Sequence, residues 1–232
     1  MPLAAPAQAE IVLEGLLDAT VTHDEGAVSE FHGMYENYGA AGVARFGTLR
    51  RQGDTVLQVV QPGRSREHLL LGGVAIAAGL RHRLRAVVPE VLDVAVPAGW
   101  LGRTGCVVAL GPHSPGTPLA AIAAALDAVS LIKRVVVVDG DVDVDVHSPE
   151  QVEWAIASRV RPERDVHLHP GRSADRAEPL ERDGTVTKDG IDATRDRDFT
   201  PAAPPAAVVE RVRRRLQGDG HLHGDRSRPV GT

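Results

Sequence analysis

Apolar residues recur along this chain in two different rhythms. Up to about residue 60 the period is two, the mark of half-buried strands. Glu10 to Leu17 reads as a strand, and residues 18–29 are polar and loop-like. Three more strand-like runs follow at Glu30–Tyr38, Gly42–Arg51 and Thr55–Val60, with Gly53-Asp54 as a tight turn between the last two. From Arg66 the spacing becomes helical and continues to Val88, where Pro89 stops it. Val91–Val96 and Thr104–Leu110 read as strands around a loop containing Pro97 and Gly99. Pro118–Ser130 is an Ala-rich helix, and Arg134–Val138 is a continuous apolar strand. Ser148-Pro149-Glu150-Gln151 opens another helix: a Ser N-cap, Pro at the first helical position, and Gln placed to complete a capping box. That helix runs to about Val160, and Val166–His169 is a short strand. Residues 170–205 form a polar stretch rich in Gly, Pro and Asp, long enough to be a functional loop or an extended arm. Ala206–Leu216 is a final helix.

This pattern predicts an α+β or α/β protein. Residues 1–9 are expected to be disordered, 10–62 to be β-structure, and 66–169 to form an α/β domain. Residues 170–216 would be the arm and terminal helix, and 217–232 a disordered tail. Four strands of the opening kind need a partner sheet or barrel over their edges and apolar face. Nothing in the sequence before them supplies it. The expectation is an incomplete barrel, completed by another polypeptide.

Composition narrows the function classes. Hydrophobic residues make up 43% and aromatics 3%, so the core must be built from Val, Leu, Ile and Ala. A net charge of -5 argues against a general nucleic-acid or membrane-surface binder. No apolar run approaches the ~20 residues that span a bilayer, and the opening MPLAAPAQAE is not a targeting peptide. The single cysteine, Cys106, lies in an apolar strand and reads as core, which fits a cytoplasmic location.

Candidate chemistry concentrates in Glu25-Gly26-Ala27-Val28-Ser29-Glu30-Phe31-His32-Gly33-Met34-Tyr35. Two carboxylates five residues apart, separated by small residues, can converge on one site. There one can hold a proton while the other stays ionised. Paired glutamates on a surface loop are also commonly just solvated. The acidic run from Asp139 to Asp145 resembles a calcium loop, but Val144 stands where the turn needs Gly, and a strand leads in rather than a helix. His167/His169 and His221/His223 lack a third ligand at metal spacing. Trp100 and Trp154 read as packing residues. No metal site is expected from this chain.

The glutamate segment resembles the motif Glu-Gly-Pro-(Phe/Tyr)-Gly-(Glu/Asp)-x-(His/Thr)-Gly-(Tyr/Phe) of the UbiD family of decarboxylases. It matches at Glu25, Gly26, Glu30, His32 and Gly33 and departs at Ala27, Val28, Ser29 and Met34. Arg134–Asp139, Asp141-Val-Asp143, Ser148–Ala155 and Arg159–Asp165 are similar to the family's C-terminal domain in order and spacing. So is Lys188-Asp-Gly-Ile-Asp-Ala-Thr194. The resemblance covers about residues 9 to 216. It implies split-barrel strands of flavin-binding type followed by an α/β dimerisation domain. It also implies non-oxidative decarboxylation (or the reverse carboxylation) of an aromatic or α,β-unsaturated acid on prenylated FMN. By motif position Glu30 would deliver the proton to carbon, Glu25 would be its partner, and Lys188 would lie near the cofactor. The family's arginine, and its ligands for the divalent metal and potassium at the flavin phosphate, belong to a segment preceding everything present here. The resemblance therefore implies a flavin-binding partner subunit and self-association through the C-terminal domain. The alternative is a non-catalytic regulatory or assembly module of the same family.

Overall fold

The computed structural model describes residues 4–140, 144–195, 202 and 204–218. Residues 1–3 and 219–232, from the segments expected to be disordered, lie outside these, as do residues 141–143 of the acidic run. The chain divides into two units, residues 1–195 and 196–232. The second contains one described helix, which carries the last element label below.

Four strands open the first unit: β1 (Ile11–Asp24), β2 (Ala27–Ser29), β3 (Tyr35–Asn37) and β4 (Ala40–Arg51). β1 pairs with β4, and β2 with β3, as two separate antiparallel two-stranded sheets; no closed barrel forms among the described residues. The expected loop at 18–29 is largely strand. β1 continues through Thr20-Val21-Thr22 because these β-branched residues suit a strand and β4 lies alongside up to Ala40. The run Glu30–Tyr38 keeps only its end as strand, because residues 30–34 close a tight turn. Thr55–Val60 is not a strand. Its alternation provides an apolar face but no ladder partner, and Val56 N–H donates instead to Glu10 Oε2 at 2.8 Å.

In the β1–β4 register Ile11, Leu13, Gly15 and Leu17 face one side, opposite Leu49, Phe46 and Ala44. The other side is mixed, with Val12, Glu14, Leu16 and Asp18 opposite Arg50, Thr48, Arg45 and Val43, and Glu14 paired to Arg50 at 3.1 Å. The first side is the more apolar and it is open: Leu17 is 74% and Phe46 58% exposed. At the bulge beside Gly15 a side chain would run into the Arg45 carbonyl and Phe46.

The remainder of the unit is an α/β/α sandwich. Its helices are α1 (Arg66–Val87), α2 (Thr117–Ala128), α3 (Pro149–Arg159) and the short α4 (Pro162–Asp165). Its strands are β5 (Val91–Ala95), β6 (Gly105–Leu110), β7 (Arg134–Asp139), β8 (Val166–Ser173) and β9 (Thr185–Asp192). They form one sheet in the order β5-β6-β7-β9-β8, with β6, β7 and β9 parallel and the two edge strands antiparallel. β6 is buried along its whole length and β7 from Val135 to Asp139, as their unbroken apolar runs require of strands covered on both faces. Leu80, Leu84, Cys106, Val108, Ile122 and Val135 pack on one side, under α1 and α2. Val107, Ala109, Val136, Val138, Val152 and Ala155 pack on the other, under α3. The expected Ser148 cap is present, its Oγ accepting from Gln151 N–H at 3.4 Å, but the Gln151 side chain accepts from Asp145 N–H rather than closing a box on Ser148. Ser65 Oγ caps α1 likewise, accepting from His68 N–H at 3.4 Å. Residues 170–205 are not one long loop. They complete β8 and supply all of β9, whose Thr-Val-Thr-Lys-Asp-Gly sequence hides a strand because its polar residues find partners far away in sequence: Lys188 on the Ser130 carbonyl and Asp189 on Arg134.

Outside the sandwich, α5 (Ala206–Gly218) is amphipathic, with Glu210 paired to Arg213 and Arg214 at 3.0 Å each. No described helix is long and apolar enough to cross a membrane.

Candidate active site on the glutamate hairpin

The hairpin from Asp24 to Gly39 is held by its own polar groups. Asp24 Oδ1 accepts from Gly26 N–H at 2.8 Å, and Glu25 N–H donates to the Gly39 carbonyl at 3.1 Å. Glu30 N–H donates to the Met34 carbonyl, and Gly33 N–H returns to the Glu30 carbonyl at 2.8 Å. Gly33 is required here: its φ of +84° is left-handed, and a Cβ would lie 2.6 Å from Arg64 Cδ.

This turn gives the two glutamates different environments. Glu25 is exposed, and its side chain makes no hydrogen bond among the described residues. Glu30 is half-buried. Its Oε1 accepts from Tyr38 O–H at 2.6 Å and its Oε2 from Phe31 N–H at 3.2 Å. Burial first, and the Glu30 carboxylate second, push the Tyr38 phenol well above the ordinary tyrosine range, so it remains a donor. Phe31 is 2% exposed and anchors the turn on the sandwich, with the Arg103 guanidinium 5.2 Å from its ring centroid. Arg103 in turn contacts His68 Nε2 at 2.8 Å. His32 lies edge-on to Phe31, and its Nε2 is 3.5 Å from Glu36 Oε1.

A second polar cluster sits where the residues leading into β7 meet the middle of β9. Lys188 is 2% exposed and donates from Nζ to the Ser130 carbonyl at 2.8 Å. Burial, then the Arg172 charge, hold its amine below the usual lysine value. Ser130 Oγ donates to Asp175, and Lys133 Nζ makes two 3.0 Å bonds to the buried Glu178 carboxylate. These anchors fix residues 174–184, from which Arg176 crosses to the hairpin. Its Nη2 donates to the Tyr38 carbonyl at 2.7 Å, and its guanidinium lies 4.2 Å from the Tyr38 ring centroid. Lys188 therefore meets Glu30 only indirectly, through this segment. Beside Lys188 is a polar cavity of 350 Å³ lined by Asp127, Ser130 and Arg172. A separate apolar cavity of 430 Å³ lies between Leu70 and Val74 of α1, Trp100 and Val152.

Sequence reasoning missed Tyr38, Arg176 and the buried Asp139, which accepts from Arg195 N–H at 2.8 Å and faces the Arg159 guanidinium. Tyr38 and Arg176 stand 138 residues apart, and no local pattern links them.

The family model for the 3-octaprenyl-4-hydroxybenzoate carboxy-lyase C-terminal domain matches residues 69–193, and that for the Rift-related domain of the same enzymes matches residues 1–65. The chain belongs to the UbiD family. Among UbiD relatives, anhydromevalonate phosphate decarboxylase of Methanothermobacter thermautotrophicus is 32% identical over 187 residues, covering 80% of this chain and 44% of the relative. The UbiD-class enzyme HmfF from Pelotomaculum thermopropionicum, solved with FMN, superposes with a TM-score of 0.78 at 34% identity, covering 90% of this chain and 48% of that one. An evolved dimeric form of HmfF, solved with prenylated FMN, gives 0.72 at 34% identity, covering 88% and 44%. The chain thus spans just under half the length of the UbiD proteins it matches.

Proposed function

We propose that this chain is a subunit of a UbiD-type carboxy-lyase. It would contribute Glu30 and Glu25 to non-oxidative decarboxylation, or the reverse carboxylation, of an aromatic or α,β-unsaturated acid. A second, flavin-binding polypeptide would complete the site. The observation that carries this reading is the open apolar face of the β1–β4 ribbon, continuous in sequence with the glutamate hairpin. A ribbon exposing Leu13, Leu17, Phe46 and Leu49 together needs a covering sheet. The matched domain is Rift-related, so the remaining strands of that domain are the fitting cover.

The described residues do not fit the metal. No group of three or more His, Cys, Asp or Glu among the described residues could hold an ion. Lys188, expected near the cofactor, has its amine committed to Ser130. Metal and flavin phosphate would accordingly be held by the partner. Prenylated FMN supplies a place for the electron density left when carbon dioxide departs. The step assigned to this chain is protonation: the Glu30 carboxyl O–H bond breaks, and a C–H bond forms at the carbon that lost carbon dioxide. Glu25, exposed at the hairpin mouth, would exchange protons with solvent and return one to the site. Self-association through the sandwich completes the proposal, in keeping with the dimeric HmfF form.

The test is reconstitution with a flavin-binding UbiD-type partner and an unsaturated acid substrate. The complex should release carbon dioxide and incorporate solvent deuterium at the vacated carbon. Glu30→Gln should lower turnover by roughly two to four orders of magnitude, the usual contribution of a positioned acid. Near-normal turnover in Glu30→Gln rejects the assignment. A wild-type complex that forms but never releases carbon dioxide favours a non-catalytic module.

A further inference from the structure

We infer that Tyr38 and Arg176 form a bracket, built across two parts of the fold, that positions Glu30. This rests on the reading of Glu30 as the proton donor. The Tyr38 O–H donates to Oε1 of Glu30 at 2.6 Å, which ties one carboxylate oxygen. Oε2 keeps only a 3.2 Å bond from Phe31 N–H and is the oxygen left to carry the transferable proton. Tyr38 is itself gripped twice by Arg176, through its carbonyl at 2.7 Å and its ring at 4.2 Å.

Two features set this apart from incidental contact. Arg176 comes from the 174–184 segment of the sandwich, not from the hairpin, so it fixes the hairpin against a rigid body. That segment is pinned on its far side by the buried Glu178 on Lys133 and by Asp175 on Ser130, which Lys188 supports from beneath. The position of the Glu30 carboxylate is thereby referred to the sheet rather than to a short surface turn. The Tyr38 phenol also keeps its proton over the working pH range, because burial and the facing carboxylate oppose its ionisation. It therefore acts as a fixed donor that orients Glu30 and does not take part in proton transfer. Arginine suits the outer place: its planar guanidinium can stack on the ring while an N–H reaches the carbonyl, which an ammonium cannot reproduce.

Tyr38 and Arg176 are thus positioning residues, and their loss should affect the chemical step rather than binding. In the reconstituted complex Tyr38→Phe should lower kcat by about ten- to a hundredfold, the worth of a hydrogen bond to a charged group, with KM nearly unchanged. Arg176→Ala should lower kcat less, and Arg176→Lys should recover only part of that loss. In the full chain alone, ¹³Cζ-tyrosine NMR gives a readout independent of activity. Tyr35 and Tyr38 are its two tyrosines, so Tyr35→Phe leaves one signal. The Tyr38 resonance should move in both Glu30→Gln and Arg176→Ala. Loss of activity in Glu30→Gln with wild-type kcat in Tyr38→Phe would overturn the bracket and leave the donor assignment standing. Wild-type turnover in Glu30→Gln would overturn both. A Tyr38 resonance unmoved by either substitution would overturn the bracket whatever the kinetics.

Discussion

The β1–β4 ribbon and the β6–β7 pair draw on similar residues and meet opposite fates. β6 and β7 have helices on both faces, and their Val and Leu side chains vanish from solvent. β1 and β4 are longer, yet their Leu and Phe side chains stand in water on a face that nothing among the described residues covers. Burial is worth roughly 25 cal/mol per Å² of apolar surface. The sandwich has therefore realised this stabilisation, whereas the ribbon would realise it only on assembly. The sandwich has its core closed. On the proposed reading, the ribbon and its glutamate hairpin are the part that a partner would complete, and the Phe31 anchor and Arg176 bracket hold the two together.

The largest effect that could break this comparison is on stability. Leu80→Ala and Leu110→Ala remove fully buried side chains and should each cost about 2–5 kcal/mol, read by urea denaturation of the isolated chain. Leu17→Ser and Phe46→Ser, on the open face, should stay within about 0.5 kcal/mol in the same measurement. The same two substitutions should weaken capture of the flavin-binding partner. If Phe46→Ser destabilised the isolated chain as much as Leu80→Ala does, the ribbon's face would already be buried and the comparison would fail.

The contrast also explains what the sequence could reveal. The α1 and α3 boundaries were legible because helical spacing sets in at Arg66 and because Pro89, Ser148 and Pro149 act locally. β6 and β7 were legible because strands buried on both faces must be apolar throughout. Thr55–Val60 misled because alternation records a face and says nothing of a ladder partner. β9 was hidden for the opposite reason: it carries Lys188 into the interior, which is acceptable only because Ser130, distant in sequence, offers a carbonyl. Glu30 could be singled out by its motif, but its Tyr38 partner and the Arg176 grip are products of tertiary structure. No periodicity encodes them.

A smaller effect sharpens the account of Lys188. Burial and then Arg172 depress its amine below the ordinary value of 10.5. A lysine whose folded pKa lies below its unfolded pKa binds its proton more tightly in the unfolded chain. Stability from this group therefore rises as pH increases through the folded value, and the gain is complete above the unfolded value. Lys188→Met should abolish that upward slope. At neutral pH the lost bond to Ser130 and the relieved burial of charge oppose one another, leaving a change of about 1 kcal/mol or less. Chemical denaturation at a series of alkaline pH values decides this. An unchanged slope in Lys188→Met would mean that the amine is not desolvated, and that the anchor of the 174–184 segment lies elsewhere.

The smallest expected effect is close to none, and it is a direct probe of which region opens. Cys106 is the chain's single thiol and lies in β6 with no exposed surface. Burial pushes its pKa up to about 12, so at pH 8 almost no thiolate exists in the folded chain. The thiolate is the species that attacks a disulfide reagent. Labelling therefore requires β6 to come out of the sheet, and its rate reports the opening of the sandwich alone. The native chain should react negligibly with an aromatic disulfide over the time in which a free thiol reacts to completion. Leu80→Ala, which thins the packing on the same face of the sheet as Cys106, should accelerate labelling about tenfold for each ~1.4 kcal/mol of opening free energy it removes. Phe46→Ser should leave the rate where it was, because the ribbon contributes nothing to the cover over Cys106. A second cysteine introduced as Leu17→Cys should react at the free-thiol rate in the isolated chain and become protected when the partner docks. Rapid labelling of Cys106 in the wild-type chain would show that the sandwich does not hold itself closed, and the division between a self-sufficient sheet and a partner-dependent ribbon would have to be abandoned.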